Sequence, residues 1–507
     1  MDVLYNDKDW LVLNKPTGLS TQAAFPGDMG LLELWTFIKN EALHAFSRLD
    51  KDTSGVLVLA HNSVAAARAQ TAQRAGTIQK MYVFLSATCS RAETWLQQTS
   101  VDGKSALTAF KRVGQAGKFW RYEALITEGR KHQIRRHAKE SGVSVLGDTV
   151  YGGAVFPRVA LHCQKVIFPA IKCPLEAKMP SSLGYLGDFA NEPGFLVALE
   201  RRQGLFEGIT DAYRLVHRGE MTSWDGSIDC FGPYVRFWSY APAESVESLQ
   251  KQFDPHWKLL SKRYGFKGAV IVSALKDPHN RGLTSTIVEM GEKAPQRFDV
   301  SEWGLRYHVS LSSGAHTGLF LDQRDNRKRV RALAKDQRVA NLFAYTCSFS
   351  AAALAGGASE VVSVDTSGTS LARGKTLMTD NGLDISKAKF YQEDARLWLK
   401  REGKRAPASF GLVICDPPTF STSKTGGAFS VSDAWPELVL GVKKLLIPTG
   451  EALFSHNHQA GDDKLYLGSL TAVFEEVLEV KPPLDFPQTK DKASVHHYWC
   501  KGIKKLS

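Results

Sequence analysis

The chain is poor in cysteine, and none of it is paired. Seven cysteines (Cys89, Cys163, Cys173, Cys230, Cys347, Cys415 and Cys500) are scattered over 507 residues without a CxxC pair. An odd number at wide spacing speaks against a disulfide framework and against a structural zinc site. They read instead as small buried apolar residues, and no metal is expected. Uninterrupted apolar runs are also missing: none approaches the ~18 residues of a membrane span. The opening MDVLYNDKDWLVLNKP is acidic where a secretory leader is basic, and it lacks the apolar stretch of such a leader. Internal repeats and low-complexity tracts are absent as well. A cytoplasmic protein without a membrane partner is expected.

What is present is length and positive charge. A chain of 507 residues exceeds one core, so two or three domains are expected. Hydrophobic residues at 43% and charged residues at 23% are ordinary for globular protein. The net charge is +12 and the pI about 9.2. Such a chain suits a polyanion, because each neutralised phosphate releases condensed counterions. Charge serving solubility alone would look the same.

Residues 1–190 mix short alternating strands (WLVLNKPTG, GVLVLAH, KMYVFLSA) with a helix in SVAAARAQTAQRA. That pattern predicts an α+β domain with a mixed or antiparallel sheet. Around LEAKMPSSLGYLGDFANEPG the periodicity fades and Pro and Gly accumulate, which marks a boundary. Residues 195–300 read as a small central α+β domain. Its strands turn at Asp225–Gly226 and Gly232–Pro233, and a helix follows in VESLQKQFDPHWKLLSKRYG. Over 301–507 short apolar strands alternate with helices, the mark of an α/β, Rossmann-like parallel sheet.

Three clusters in the first segment carry chemistry. They are LVLNKPTGLST, SRLDKDTSGVLVLA with Arg48 and Asp50, and ITEGRKHQIRRHAKESGVSVLGDTVYGG. The last is strongly basic around a short helix, with Arg130, Lys131, Arg135 and Arg136. In isolation Asp50 would be read as a turn-capping carboxylate. Together, in this order and with QKMYVFLSA and RVALHCQKVIFP (Arg158, His162), the clusters resemble RluA-type pseudouridine synthases over about residues 1–185. The resemblance implies conversion of a uridine in RNA to pseudouridine, without a cofactor. A carboxylate can serve there as nucleophile or stabilise positive charge on the sugar. By resemblance the catalytic residues are Asp50, Arg135, which pairs with it and orients it, and Tyr82, which stacks on the flipped base. Ser47 replaces the family's His before Arg-Leu-Asp. The RNA-binding extension that precedes the catalytic domain in many relatives is expected to be missing.

YRLVHRGEMTSWDGSIDCFGPYV and GLFLDQRDNRKRVRAL resemble the central domain and hinge of RlmI/RlmK-like proteins. Seven basic side chains crowd residues 324–338: Arg324, Arg327, Lys328, Arg329, Arg331, Lys335 and Arg338. A solvated helix face, phosphate contact and closure over a cofactor all fit that run.

In the last segment VVSVD ends at Asp365, an acid placed to bind ribose hydroxyls beyond a strand's carboxyl end. SFGLVICDPPTFSTSK ends a buried strand with Asp416-Pro417-Pro418, whose prolines stiffen the turn. With FLDQRDNR and VVSVDTS, this resembles a class I S-adenosylmethionine-dependent RNA methyltransferase of the RlmK-like type over about 212–507. The resemblance implies S-adenosylmethionine (SAM) held by Tyr345, Thr346, Asp365, Asp394, Asp416 and Pro417, with Asp416 also catalytic. Cys347 stands where the first cofactor loop usually has Gly, between Thr346 and Ser348. No cysteine follows Asp-Pro-Pro in EALFSHNHQAGDD, where Ser455, His456, Asn457 and His458 stand. Covalent activation of a pyrimidine carbon therefore lacks its thiolate, which favours a guanine nitrogen as acceptor. The expected whole is a bifunctional RNA-modifying enzyme acting on ribosomal RNA or transfer RNA, not DNA. A competing expectation keeps the synthase active and leaves the methyltransferase fold to hold RNA. A non-catalytic assembly factor is the third.

Overall fold

The computed structural model describes residues 2–24, 29–184, 192–241, 245–276, 283–312, 316–423, 427–456, 463–487 and 495–504. Lys424, Asn457 and His458 lie outside them. The chain packs as two compact units, Met1–Glu207 with Leu215–Ser227 and Gly208–Arg214 with Ile228–Ser507.

The first unit is built on nine strands: β1 (Val3–Asn6), β2 (Trp10–Lys15), β3 (Ser54–Ala60), β4 (Gln79–Ser86), β5 (Thr94–Val101), β6 (Lys104–Ala116), β7 (Phe119–Ile126), β8 (Leu161–Ile167) and β9 (Leu175–Glu176). Their order is β1-β2-β3-β8-β4-β7-β6-β5, with β9 on β8. The pairings are antiparallel apart from β3 with β8. That parallel contact depends on Gly55 of the Thr-Ser-Gly turn. At φ +113° a Cβ there would lie 2.1 Å from the Cys163 carbonyl oxygen, so only glycine lets the two backbones meet. The helices are α1 (Leu31–Lys39), α2 (Ser63–Arg74), α3 (Gln133–Glu140) and α4 (Pro193–Arg202). The expected helix in SVAAARAQTAQRA is α2. Its N-cap, Asn62, accepts the Ala65 N–H at 2.9 Å.

The second unit opens with a five-stranded sheet of β10 (Ala212–Val216), β11 (Gly226–Phe231), β12 (Tyr234–Ser239), β13 (Gly268–Lys276) and β14 (Leu283–Gly291), in that order. Between β12 and β13 runs α5 (Val246–Tyr264), capped by Ser245 and stopped by Gly265 at φ +74°. A hairpin of β15 (Phe298–Glu302) and β16 (Leu305–Val309) follows.

Then comes an open seven-stranded sheet: β17 (Arg338–Leu342), β18 (Glu360–Asp365), β19 (Ala388–Gln392), β20 (Phe410–Cys415), β23 (Leu446–His456), β24 (Phe474–Val480) and β25 (His496–Ile503). β21 (Phe420–Ser423) and β22 (Gly427–Ser430) pair as a separate hairpin. The order in the large sheet is β19-β18-β17-β20-β23-β25-β24, parallel except that β25 runs against both its neighbours. Six helices accompany it: α6 (Arg324–Leu333), α7 (Ser348–Ala355), α8 (Gly368–Asp380), α9 (Ala395–Arg405), α10 (Val431–Leu445) and α11 (Asp463–Val473). Apolar residues of β17, β18, β20 and β23 pack against Trp398, Trp435 and their neighbours. The strands' carboxyl ends bring Asp365 and Asp416 to one edge of the sheet. The expected fold class, an α+β mixed sheet followed by α+β and Rossmann-like α/β parts, is the one observed.

The basic run 324–338 is in large part paired within the unit and not a uniformly solvated face, though Lys335 is exposed. Arg324 is buried against Asp485 at 2.6 Å, and Arg327 forms two 2.6 Å bonds with Glu302. Lys328 lies over Trp303, Arg329 over Trp499, and Arg338 pairs with Glu360. Arg327 and Glu302 are each about 1% exposed. Removing one partner of such a pair strands the other charge in the core. Glu302→Ala is expected to destabilise the second unit by about 3–5 kcal/mol, read as a lower urea midpoint.

Candidate active sites

The first site begins with a turn held from below. The buried Lys15 donates from Nζ to the carbonyls of Leu19 (2.6 Å), Pro16 (2.9 Å) and Lys51 (3.2 Å). Burial, with Arg158 nearby, lowers its pKa to about 7. Arg158 donates to Ser54 Oγ at 2.8 Å, and His162 Nδ1 meets the same hydroxyl at 2.9 Å. Both therefore brace the start of β3 rather than line the cleft. The turn they fix carries Asp50.

From α3, Arg135 reaches this turn. Its Nη1 donates to Asp50 Oδ2 at 3.2 Å. Its Nε and Nη2 grip Asp148 at 2.6 and 2.9 Å, and its guanidinium sits 5.2 Å from the centroid of the Tyr151 ring. Burial opposes the Arg135 charge, but Asp148 and Asp50 outweigh it and hold its pKa above the ordinary value. The bidentate clamp leaves one nitrogen aimed at Asp50, so Asp148 sets the direction of that contact. His132, in a left-handed conformation at the N-cap of α3, brings Nε2 to 3.7 Å from the Asp50 carboxylate. Asp148 stands in GDTVYGG and His132 in GRKHQIRRH, but neither was singled out from the sequence.

Asp50, Arg135 and Tyr82 line one cleft of about 330 Å³. Tyr82 is buried, and that burial holds its hydroxyl well above the usual phenol range. Asp50 stays partly open, with its side chain 36% exposed. Arg48, Arg74 and Arg130 line the same cleft, and no carboxylate among the described residues pairs with them. The three residues expected to act in the first site thus line one cleft.

The second site is a cavity of about 550 Å³ at the carboxyl edge of the large sheet. Tyr345, Asp365, Asp394, Asp416 and Pro417 line it. Thr346 does not. Its hydroxyl donates to the Gly318 carbonyl at 2.7 Å, so it braces the loop instead. Asp365 accepts the Tyr345 N–H and the Ser367 N–H, each at 2.8 Å. A carboxylate offers about four acceptor sites, which leaves lone pairs for a ribose diol. Asp394 caps α9 through the Arg396 N–H at 2.8 Å and also holds the Arg396 guanidinium at 2.7 Å. Two acids and an aromatic wall of Phe343, Phe349 and Phe429 fit an adenosyl cofactor.

Cys347 takes the glycine position at a cost. Its φ is +61°, the left-handed region that glycine enters without strain. Room for its side chain comes from Gly374, where a Cβ would lie 2.5 Å from the Cys347 sulfur. Burial pushes the Cys347 thiol up to about 12 and raises that of Cys415 too. Neither is a thiolate at neutral pH, so neither is an activated nucleophile.

Asp416 is part-buried and accepts from Gln323 Nε2 at 3.0 Å. Burial first, and the neighbouring Asp322 second, raise its pKa to about 7. Asp322 and Gln323 both line the cavity. They sit inside FLDQRDNR, yet their roles depend on where the chain returns and were not predicted.

Residues 9–140 match the family model described as RNA pseudouridylate synthase, and residues 279–497 the one described as S-adenosylmethionine-dependent methyltransferase. Among curated proteins, the chain is similar to "Ribosomal RNA large subunit methyltransferase K/L" of Shewanella sp. (strain MR-4). They share 31% identity over 303 residues, 58% of this chain and 40% of that protein. The protein of the same name from Shewanella woodyi is 32% identical with the same coverage. The chain thus spans about 40% of the length of these relatives. The crystal structure of SMU.776 complexed with SAH covers 61% of this chain and 80% of its own, with 26% identity and a TM-score of 0.52. The chain thus joins a segment that matches the RNA pseudouridylate synthase model to one that matches the S-adenosylmethionine-dependent methyltransferase model.

Proposed function

We propose that this chain is a bifunctional RNA-modifying enzyme, which isomerises one uridine to pseudouridine and methylates one base, a guanine nitrogen, with SAM. The observation that carries it is the carboxylate of Asp50, held by a clamped Arg135 in a cleft walled by Tyr82. That group can attack the ribose carbon of an everted uridine or stabilise charge there while the base turns. Arg48, Arg74 and Arg130, which pair with no carboxylate among the described residues, supply the counter-charge that RNA phosphates need. In the second site Asp365 and Tyr345 would hold the cofactor, whose chemistry is an activated methyl group. Asp416, with its acceptor oxygens, suits an N–H-bearing acceptor, and a buried thiol with a raised pKa gives no support to attack on a pyrimidine carbon. The name of the Shewanella relatives directs attention to large-subunit ribosomal RNA.

Mass-spectrometric mapping of ribosomal RNA from a strain lacking the chain tests both activities. Loss of one pseudouridine and one methylguanosine is expected, and retention of both marks would refute the proposal. Calorimetric titration with SAM separates it from the alternative in which the second unit only binds RNA. Wild type is expected to bind, and Asp365→Ala to lose about 10–100-fold in affinity, the value of one or two charge-assisted hydrogen bonds. A wild type that binds no SAM would favour that alternative.

A further inference from the structure

His132 lines the first cleft but takes no part in the chemistry assigned to Asp50, Arg135 and Tyr82. It is the N-cap of α3, and its backbone keeps φ +56° and ψ +25°, the left-handed region that few residues other than glycine adopt. Such a backbone persists where the neighbours hold it. Here the neighbour is Tyr151. Its ring meets the imidazole edge-on, 5.7 Å between centroids, and its hydroxyl lies 3.1 Å from His132 Nδ1. The same hydroxyl accepts from Arg136 Nε at 3.1 Å, and Arg136 Nη1 donates to Asp102 at 2.8 Å. A guanidinium can only donate, and the described residues offer the Tyr151 proton no acceptor besides His132 Nδ1. The neutral imidazole therefore carries its own proton on Nε2, the nitrogen that faces Asp50 Oδ2 at 3.7 Å. Arg135 Nη1 reaches that same oxygen at 3.2 Å. Among the described residues nothing donates to Asp50 Oδ1.

We propose that His132 is a positioning residue for pseudouridine formation: with Arg135 it pins Oδ2 of Asp50, so that Oδ1 is the oxygen presented to the ribose carbon. The assignment rests on the reading of the first site as a pseudouridine-forming one. It holds whether the carboxylate attacks that carbon or balances charge there. Tyr151 serves the arrangement twice. Its hydroxyl sets the imidazole tautomer, and its ring carries the Arg135 guanidinium 5.2 Å from the centroid. One tyrosine thus aligns both groups on one oxygen.

A neutral imidazole suits this task better than a charged one. Protonated, His132 would bring a second cation to Oδ2 and draw the carboxylate's charge away from Oδ1. The surroundings favour the neutral ring. Burial lowers its pKa most, Asp50 and Asp148 raise it, and Arg135 and Lys131 lower it again. The remaining charged groups lining the cleft are Arg48, Arg74, Lys80, Glu128 and Arg130.

Nitrogen-15 NMR of the full chain, labelled at histidine, tests the contact apart from the chemistry. His132, assigned by comparison with His132→Gln, should titrate below the ordinary histidine range, its neutral form protonated on Nε2. Asp50→Asn removes the attraction and should lower that titration further, by about one pH unit. A His132 titration unmoved by Asp50→Asn would overturn the contact. Single-turnover pseudouridine formation on ribosomal RNA tests the task. Wild type should lose rate as the pH falls through the His132 titration. His132→Ala should be slower by about tenfold at every pH, the cost of a loosened reacting group. His132→Gln keeps a neutral donor without a titrating ring, so it should recover most of that loss and lack the acid step. Full rate in His132→Ala, or an acid step kept by His132→Gln, would overturn the positioning role while leaving Asp50 its chemistry. A wild type that forms no pseudouridine at any pH, with the NMR contact intact, would overturn the reading of the site and this role with it.

Discussion

Asp50→Asn is expected to abolish pseudouridine formation, with a loss of about 10⁴-fold or more, the scale seen when a charged member of a catalytic unit is removed. The substitution keeps the shape of the side chain and takes away its charge. An amide neither attacks a ribose carbon nor balances positive charge there, although its oxygen can still accept from Arg135. Burial at this position is partial, so the fold should survive with only a small change in stability. Single-turnover assays on uridine-containing ribosomal RNA, with tritium release from carbon 5 as the readout, measure the effect. Methyl transfer by the same variant should be within twofold of wild type. Residual pseudouridine formation above a tenth of wild type would remove Asp50 from the chemistry.

Asp416→Ala is the corresponding experiment for the second unit. By resemblance Asp416 acts in the chemistry, where loss of a positioned acid or base costs about 10²–10⁴-fold, and methyl incorporation from labelled SAM should fall accordingly. Removing a part-buried carboxyl with a raised pKa also removes a charge its surroundings resist, so the variant should fold at least as well as wild type. Pseudouridine formation should be unchanged. A variant with full methylation would leave Asp416 with no more than a packing role.

Much of both sites was legible because the signals are local. A strand followed by Pro-Thr-Gly, Arg-Leu-Asp before Thr-Ser-Gly, and Asp-Pro-Pro after an apolar strand each place a side chain within a few residues of the element that carries it. Helices α2 and α5 and the alternating last segment followed from periodicity in the same way. What stayed hidden depends on partners distant in sequence. The arginines at 324 and 327 look like a charged surface until Asp485 and Glu302 are brought against them, and no local pattern announces those contacts. Asp148 is another case: it clamps Arg135 from beyond the end of α3. Thr346 shows the opposite failure, a position in the right loop whose side chain turns to Gly318 and away from the cavity. Gln323 bonds Asp416 with its amide oriented by Asn326, which accepts from Trp499 in turn, and Trp499 stands on β25.

That last strand has a consequence for biogenesis. β25 is made after every other strand of its sheet, yet it lies between β23 and β24. While the ribosome works from residue 456 to residue 496, the side of β23 that β25 will cover is bare, for roughly 2–8 s at 5–20 residues per second. An uncovered strand edge is a template for pairing with other chains. Stalled or shortened translation products should therefore aggregate through β23, and this stretch of synthesis is where a chaperone would matter most.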